Sequence, residues 1–470
     1  MSTNEHIDLD QLAPAEVGEI DIYQHREKIY TRKIEGLFQR VRLFSGWPLL
    51  LGYFLLPWLQ WDGRQAVLFD LPERKFYILG LTFWPQDFPM LAFLLIIAAF
   101  ALFTVTNLFG RIWCGYTCPQ TVWTSIFMWL EQKFEGNRNQ RIKLDKAPWS
   151  TNKFFRKTLK HGAWLFVALL TGVTFIGYFT AIRQLIPDLF TLSAGIWASS
   201  WTVFFTLATY INAGWMREQV CIYMCPYARF QSVMFDQDTL IVSYDSGRGE
   251  PRGSRKRDIA HSELQVGDCI DCELCVQVCP TGIDIREGLQ YECIGCALCV
   301  DACNSVMDKM QYPRGLIRYT SEHALSGGIT RWLRPRVLGY CGVLLVMILV
   351  FGLYFFGRVP VELTALRDRI ELYIETENGD IENIYTLHLA NKDDASHQFT
   401  IGIDGIAGAR IIGATQYEVA GGEVLTITLR VVADPAALAK MSTELDFIAT
   451  AVSEPSLTAK AESRFMKPLR

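Results

Sequence analysis

At 470 residues, half of them hydrophobic and 13% aromatic, the chain is too apolar for an ordinary soluble enzyme and long enough for about three domains. A formal charge of −4, with no polybasic tract beyond the flanks of apolar segments, excludes nucleic acid as a partner. Residues 1–42 read as a polar cytoplasmic tail that turns basic toward its end (Arg26, Lys28, Arg32, Lys33, Arg40 and Arg42). It holds no short apolar stretch ahead of a small-residue cleavage site, so no removable signal peptide is expected.

Five apolar segments of membrane-spanning length follow, at about 43–60, 88–110, 162–182, 195–214 and 337–357. The first is the shortest and carries Pro48 and Pro57. Trp47, Trp58, Trp61, Trp84 and Trp113 sit near segment ends, where amphipathic rings favour the headgroup level. The loop 131–160 carries nine Lys and Arg, and Arg331, Arg334 and Arg336 precede the last segment, whereas the loop 183–194 has Arg183 alone. Basic flanks stay cytoplasmic. The expectation is therefore a multi-pass membrane protein, with residues 43–214 as spans one to four and 337–357 as the fifth. The N-terminus and the insert 215–336 would then be cytoplasmic and the C-terminal region periplasmic.

Eight of the thirteen cysteines fall in residues 269–303, in two copies of one spacing. Cys269, Cys272, Cys275 and Cys279 are followed by Pro280; Cys293, Cys296, Cys299 and Cys303 repeat the pattern. Cys-x2-Cys-x2-Cys-x3-Cys lets one turn aim three thiolates at a cubane iron–sulfur cluster while the fourth ligates its neighbour. Cys269, Cys272, Cys275 and Cys303 are thus assigned to one 4Fe–4S cluster, and Cys279, Cys293, Cys296 and Cys299 to a second. Structural zinc uses paired halves with four ligands per ion, and disulfides do not persist in the cytosol; neither accounts for the doubled triplet. The stretch closely resembles a bacterial two-cluster ferredoxin and departs from it at Asn304, where the pattern repeats the proline. Just upstream, 243–257 is Gly- and Arg-rich and on composition reads as a solvated linker beside anionic lipid.

Residues 375–470 alternate apolar and polar residues between Gly, Asn and Asp, which predicts a small antiparallel β-sandwich of immunoglobulin type. Its His388 and His397 read as surface residues, and the domain as a docking or stabilising module.

Four further cysteines form two matching Cys-x3-Cys-Pro pairs: Cys114 and Cys118 after the second span, Cys221 and Cys225 after the fourth. A proline disfavours helix at the residue before it and suits the first position of a new helix, so helices are expected from Pro119 and Pro226. Thiols at such helix N-termini are expected to be biased toward thiolate. As soft ligands they would select Cu(I), zinc or an iron–sulfur cluster; disulfides remain an alternative. Met224, between the second pair, and His161, at the start of the third span, both read as packing or interfacial residues, as does Cys341 in the last span.

Taken together, the two membrane CxxxCP motifs, the stretch DSGRGEPRG, the ferredoxin repeat and the C-terminal β-region resemble the cytochrome c oxidase accessory family CcoG, also called FixG or RdxA. The resemblance runs from about residue 25 to the C-terminus. It implies a bacterial inner-membrane protein needed for assembly of cbb-type oxidase that reduces Cu(II) to Cu(I), with a copper-exporting P-type ATPase and oxidase assembly factors as partners. The family's membrane cysteine motifs map onto Cys114, Cys118, Cys221 and Cys225, which become the candidate catalytic and copper-binding residues. An unidentified cytoplasmic donor would reduce the clusters. Two other readings stand beside this one: a membrane quinol dehydrogenase subunit resembling NapH of nitrate-respiration chains, and a non-catalytic assembly scaffold. The doubled helix–turn–helix arrangement suits a homodimer as readily as a monomer.

Overall fold

The computed structural model describes residues 28–61, 63–255, 266–357, 360–368, 371–393, 395–438 and 440–468. Most of the expected tail, and the end of the Gly/Arg-rich stretch from residue 256, lie outside these. The chain is helical at all five expected spans: Leu37–Leu55, Phe88–Phe109, Thr151–Ile176, Ile196–Thr209 and Pro335–Phe356. Among the described residues, three of these helices are long and apolar enough to cross a bilayer: Phe88–Phe109, Thr151–Ile176 and Pro335–Phe356. Leu37–Leu55 contains Pro48 and two arginines, and Ile196–Thr209 has only fourteen residues before the π-helix Tyr210–Met216. The third helix starts at Thr151, upstream of the expected 162. Its first half is amphipathic, with Lys153 and Lys160 buried while Phe154 and Phe155 are exposed.

The chain divides into two compact units. One takes in the described residues up to Leu49, Thr106–Ala168 and Ala208–Thr330, and so holds all twelve cysteines of the two constellations. Within it the supposed basic loop is mostly helix, Pro119–Glu135 and Arg138–Lys146. Its charges are not a solvated fringe. Glu131 binds Arg141 at 3.1 Å and Arg217 at 2.9 Å, and Glu135 binds Lys157 and Lys160, both at 2.9 Å. Burial alone would raise the Glu131 carboxyl, but Arg217, Lys28 and Arg141 outweigh it and hold it at about 2.

The ferredoxin fold of this unit opens earlier than its cysteines. Ile241–Tyr244 pairs antiparallel with Ile317–Thr320, and the segment 244–253 lies inside the domain. That corrects the linker reading. Asp245 caps the turn Ser246–Gly249, Arg248 pairs with Asp268, and the Gly253 amide donates to the Cys269 carbonyl at 3.1 Å. Gly-rich composition signals close backbone approach as readily as solvation: a Cβ at Gly249 would sit 2.1 Å from the Tyr244 hydroxyl.

The second unit comprises Leu50–Val105, Leu169–Leu207 and Arg331–Arg470. A meander of Val67–Asp70, Lys75–Ile78 and Leu81–Phe83 occupies what the hydropathy pattern leaves as a loop. Ile182–Phe190, in the next expected loop, is a short helix. The immunoglobulin-like domain begins at Val361–Arg367, upstream of the expected 375, because that strand pairs with Ile381–Asn391 along its whole length. One sheet runs Arg410–Ile412, Val424–Ala433, Ile381–Asn391, Val361–Arg367; the other runs Gln416–Val419, His397–Asp404, Ser442–Ala451, Thr458–Met466. Alternate residues from both faces, including Tyr385, Leu387, Phe399, Phe447 and Phe465, fill the core between them. His388 and His397 do not meet: the first bonds Thr426 and the second Asp393.

The side chain of Lys392 in this unit is 7% exposed, and its Nζ lies 3.2 Å from Asp87 and 2.8 Å from Glu362. Breaking such a pair strands a buried carboxylate, at about 3–5 kcal/mol. Lys392→Met is therefore expected to lower the unfolding temperature and to speed proteolytic release of the β-domain from the full chain; unchanged proteolysis would mean that the pair fastens nothing.

Candidate functional site

Two cavities open within the ferredoxin fold. Cys269, Cys272, Cys275 and Cys303 line one, with Tyr244, Leu274, Met307 and Arg286 on its walls. Cys279, Cys293, Cys296 and Cys299 line the other, among Val242, Ile283, Ile285 and Ile294, with Cys275 on the wall common to both. The space at each, with the solvent at its open mouth included, is about 370 and 350 Å³. Among the described residues no three His, Cys, Asp or Glu side chains converge on a point as a single ion requires. A donor set of four thiols around an apolar cavity suits an iron–sulfur cluster.

The local geometry follows from the repeat. Asp271 and Glu273 in the first copy, and Gly295 and Ala297 in the second, have positive φ and turn the loop around its thiols. Leu274–Gln277 then stops before Cys279 and Pro280, whereas Leu298–Met310 runs on past Cys303. Asn304 stands in mid-helix, where proline would break it, and its Oδ1 accepts from the Gly315 amide at 3.0 Å. That accounts for the departure from the repeated pattern. Gly295 replaces the Asp of the first copy because the Arg111 carbonyl carbon lies 3.3 Å from where a Cβ would stand.

Each CxxxCP motif ends a helix and starts another. Ile112–Tyr116 carries Cys114; Cys118 is extended, and Pro119 opens Pro119–Glu135. The π-turn Val220–Met224 carries Cys221; Cys225 is extended, and Pro226 opens Pro226–Met234. The four thiols form one neighbourhood: Cys118, Cys221 and Cys225 all stand near enough to Cys114 to push it up. They are free, as are the other nine cysteines. At Cys118 the expected bias to thiolate is reversed. Burial pushes Cys114 and Cys221 up to about 12, and raises Cys118 against the backbone amides at its helix start. Desolvation outweighs the helix end, so these thiols stay protonated until a cation arrives to replace the proton. Burial likewise pushes Cys275, Cys293 and Cys303 up to about 12.

The CxxxCP neighbourhood abuts the second cavity. Cys114 packs in one cluster with Ile294, Cys296, Val278 and Leu298. A Cβ at Gly115 would meet Cys296 Cα at 2.9 Å and its amide nitrogen at 3.0 Å. The Tyr116 and Tyr319 hydroxyls are 3.2 Å apart, and Tyr319 donates to the Gly295 carbonyl. On the other side, Cys114 Sγ donates to Gln231 Oε1 at 3.3 Å, and the buried Gln231 in turn donates to Thr106. Met224, by contrast, is 57% exposed, and His161 bonds Tyr210 at 2.8 Å. Arg111, Gln231, Tyr244 and Tyr319 lack any spacing motif; only the contacts identify them.

Comparisons with known proteins match the same parts of the chain. A family model for a 4Fe–4S dicluster domain matches residues 216–322, one for a 4Fe–4S binding domain matches 91–137, and one for an IG-like fold at the C-terminal of FixG matches 351–468. Over 452 residues the chain is 38% identical to the nitrogen fixation protein FixG of Rhizobium meliloti, covering 88% of this chain and 85% of that one. Over 414 residues it is 40% identical to protein RdxA of Cereibacter sphaeroides, covering 83% and 85%. A crystal structure of a FixG-related protein from Vibrio parahaemolyticus aligns at 32% identity with 23% of this chain and 98% of its own, at a TM-score of 0.22.

Proposed function

The chain belongs to the FixG/RdxA family, and on that premise we propose that it is a membrane oxidoreductase that reduces Cu(II) to Cu(I) for assembly of a cbb-type cytochrome oxidase. Its iron–sulfur domains make it an electron-transfer protein. Cys269, Cys272, Cys275 and Cys303 would hold one 4Fe–4S cluster and Cys279, Cys293, Cys296 and Cys299 the other. Such clusters supply single electrons at potentials from about −700 to +450 mV, low enough at one end to drive cupric reduction. Cys114, Cys118, Cys221 and Cys225, no three of which converge on one point in this structure, would close on copper as it binds: Cu(II) gains one electron from a cluster, and the soft thiolates favour the Cu(I) product.

The observation that carries the reading is the packing of Cys114 against Ile294 and Cys296, with Gly115 leaving no room for even a methyl group between the two backbones. An electron held in the second cavity would leave through that contact. The reading carries with it a cytoplasmic ferredoxin domain, a periplasmic β-domain, an unidentified cytoplasmic donor, and the copper-exporting ATPase and assembly factors that the family resemblance implies.

The test is copper reduction by full-length, cluster-replete protein reduced with dithionite and freed of excess reductant. Serine at all four membrane-face positions is expected to abolish both Cu(I) formation and copper binding. Undiminished rate and stoichiometry would remove these residues from the reaction. A second reading has its own support, since the 4Fe–4S binding match at 91–137 brackets Cys114 and Cys118. On that reading the four thiols hold a further cluster, and anaerobic protein carries about half as much iron again as two clusters require, with no copper.

A further inference from the structure

Arg111 lies in the turn between Phe88–Phe109 and Ile112–Tyr116, and only 7% of it is exposed. Its Nη1 donates to the carbonyls of Tyr291 at 2.6 Å and Cys293 at 3.3 Å, its Nη2 to that of Ala228 at 2.5 Å. The guanidinium stands 5.1 Å from the centre of the Tyr291 ring. Among the described residues of this unit, three arginines are buried. Arg141 and Arg217 share Glu131, whereas every hydrogen bond of Arg111 goes to a neutral carbonyl.

A guanidinium withdrawn from water without a counter-charge is unfavourable. The ionisable groups that face Arg111 are thiols and the hydroxyl of Tyr227. Cys114 and Cys221 of the CxxxCP neighbourhood feel its charge on one side, and Cys293 of the second cavity on the other. Its carbonyl partners repeat the same geometry, since Tyr291 and Cys293 belong to the cluster loop and Ala228 to the helix that follows Cys225.

We propose that Arg111 is the buried counter-charge shared by the second cluster cavity and the four membrane-face thiols, a positioning residue that raises the reduction potential of the centre at Cys279, Cys293, Cys296 and Cys299. The proposal rests on the reading that these cysteines ligate a redox centre. A fixed positive charge stabilises whichever oxidation state carries one more electron, and in a dry site it is weakly screened. No such cation stands at the other cavity in the same way, because Arg286 there is paired with Asp284 and Asp271.

The test uses full-length protein purified anaerobically as wild type, Arg111→Gln and Arg111→Lys, with iron and sulfide content measured beside an EPR-monitored redox titration. Arg111→Gln is expected to retain iron and to move one of the two midpoints to more negative potential. The oxidised-to-reduced ratio at fixed poise should rise about tenfold, which is about 59 mV for a one-electron couple. The centre of Cys269, Cys272, Cys275 and Cys303 should not move. Arg111→Lys keeps the charge but loses the planar fork, and it should restore most of the shift. Unmoved midpoints in Arg111→Gln, equal shifts at both centres, or a lysine variant as shifted as the glutamine one would each overturn the proposal. Where Arg111→Gln loses iron, the lysine variant decides: a native midpoint supports a role for the charge, and a negative one overturns it. Wild-type protein without iron in the second cavity would sink the underlying assignment instead.

Discussion

Replacing Cys303 with serine is expected to empty the cavity formed by Cys269, Cys272 and Cys275, and to leave iron beside the cysteines nearest to it in sequence. Cys299 and Cys303 stand one turn apart at the start of Leu298–Met310, yet they line different cavities. The helix begins at the second cavity and advances past the first, and the pair 241–244/317–320 closes over both. Total iron in Cys303→Ser should therefore fall by about half. The EPR signal that survives should be the one lost in Cys293→Ser. Should Cys303→Ser and Cys293→Ser deplete the same signal, the crossed assignment is wrong and each cysteine repeat would hold its own centre.

Gly115→Ala is expected to separate two sites that keep their metals. The added methyl would meet the backbone of Cys296 at 2.9 and 3.0 Å, and backbone cannot swing aside as a flexible side chain can. Overpacking of this kind is destabilising by about 1–3 kcal/mol. Its relief moves the Ile112–Tyr116 turn away from the loop 291–296, and the Arg111 bonds to Tyr291 and Cys293 lengthen with it. Dithionite should still reduce the clusters at the native rate, while their reoxidation by Cu(II) slows in stopped-flow. Reoxidation at the native rate in a variant shown to fold would exclude the Cys114–Cys296 contact as the electron exit.

Several features of this site are legible without coordinates because they are local. Three cysteines spaced by two residues share a single turn whatever the rest of the chain does. A proline after Cys118 or Cys225 restricts the residue before it by direct steric contact. The ends of the five helical segments were less legible. Hydropathy places 162–182 in the membrane, but the helix extends back to Thr151 because Lys153 and Lys160 find buried partners. The strand Val361–Arg367 was hidden for a related reason: it follows directly on an apolar helix, and only its pairing with Ile381–Asn391 assigns it to the sandwich.

The sequence by itself determined the ligand chemistry, the cross-over pattern that its spacing implies, the paired cysteine turns and the β-rich C-terminal region, since each is written within a few consecutive residues. Only the tertiary structure decided that the first CxxxCP turn packs on the loop 291–296, that residues 244–253 belong to the ferredoxin domain, and that burial raises the thiols of Cys114, Cys118 and Cys221. Those outcomes depend on which surfaces lose water together. Desolvation is a property of the assembled fold, and for Cys118 it overrules the helix-end electrostatics that the sequence alone suggests.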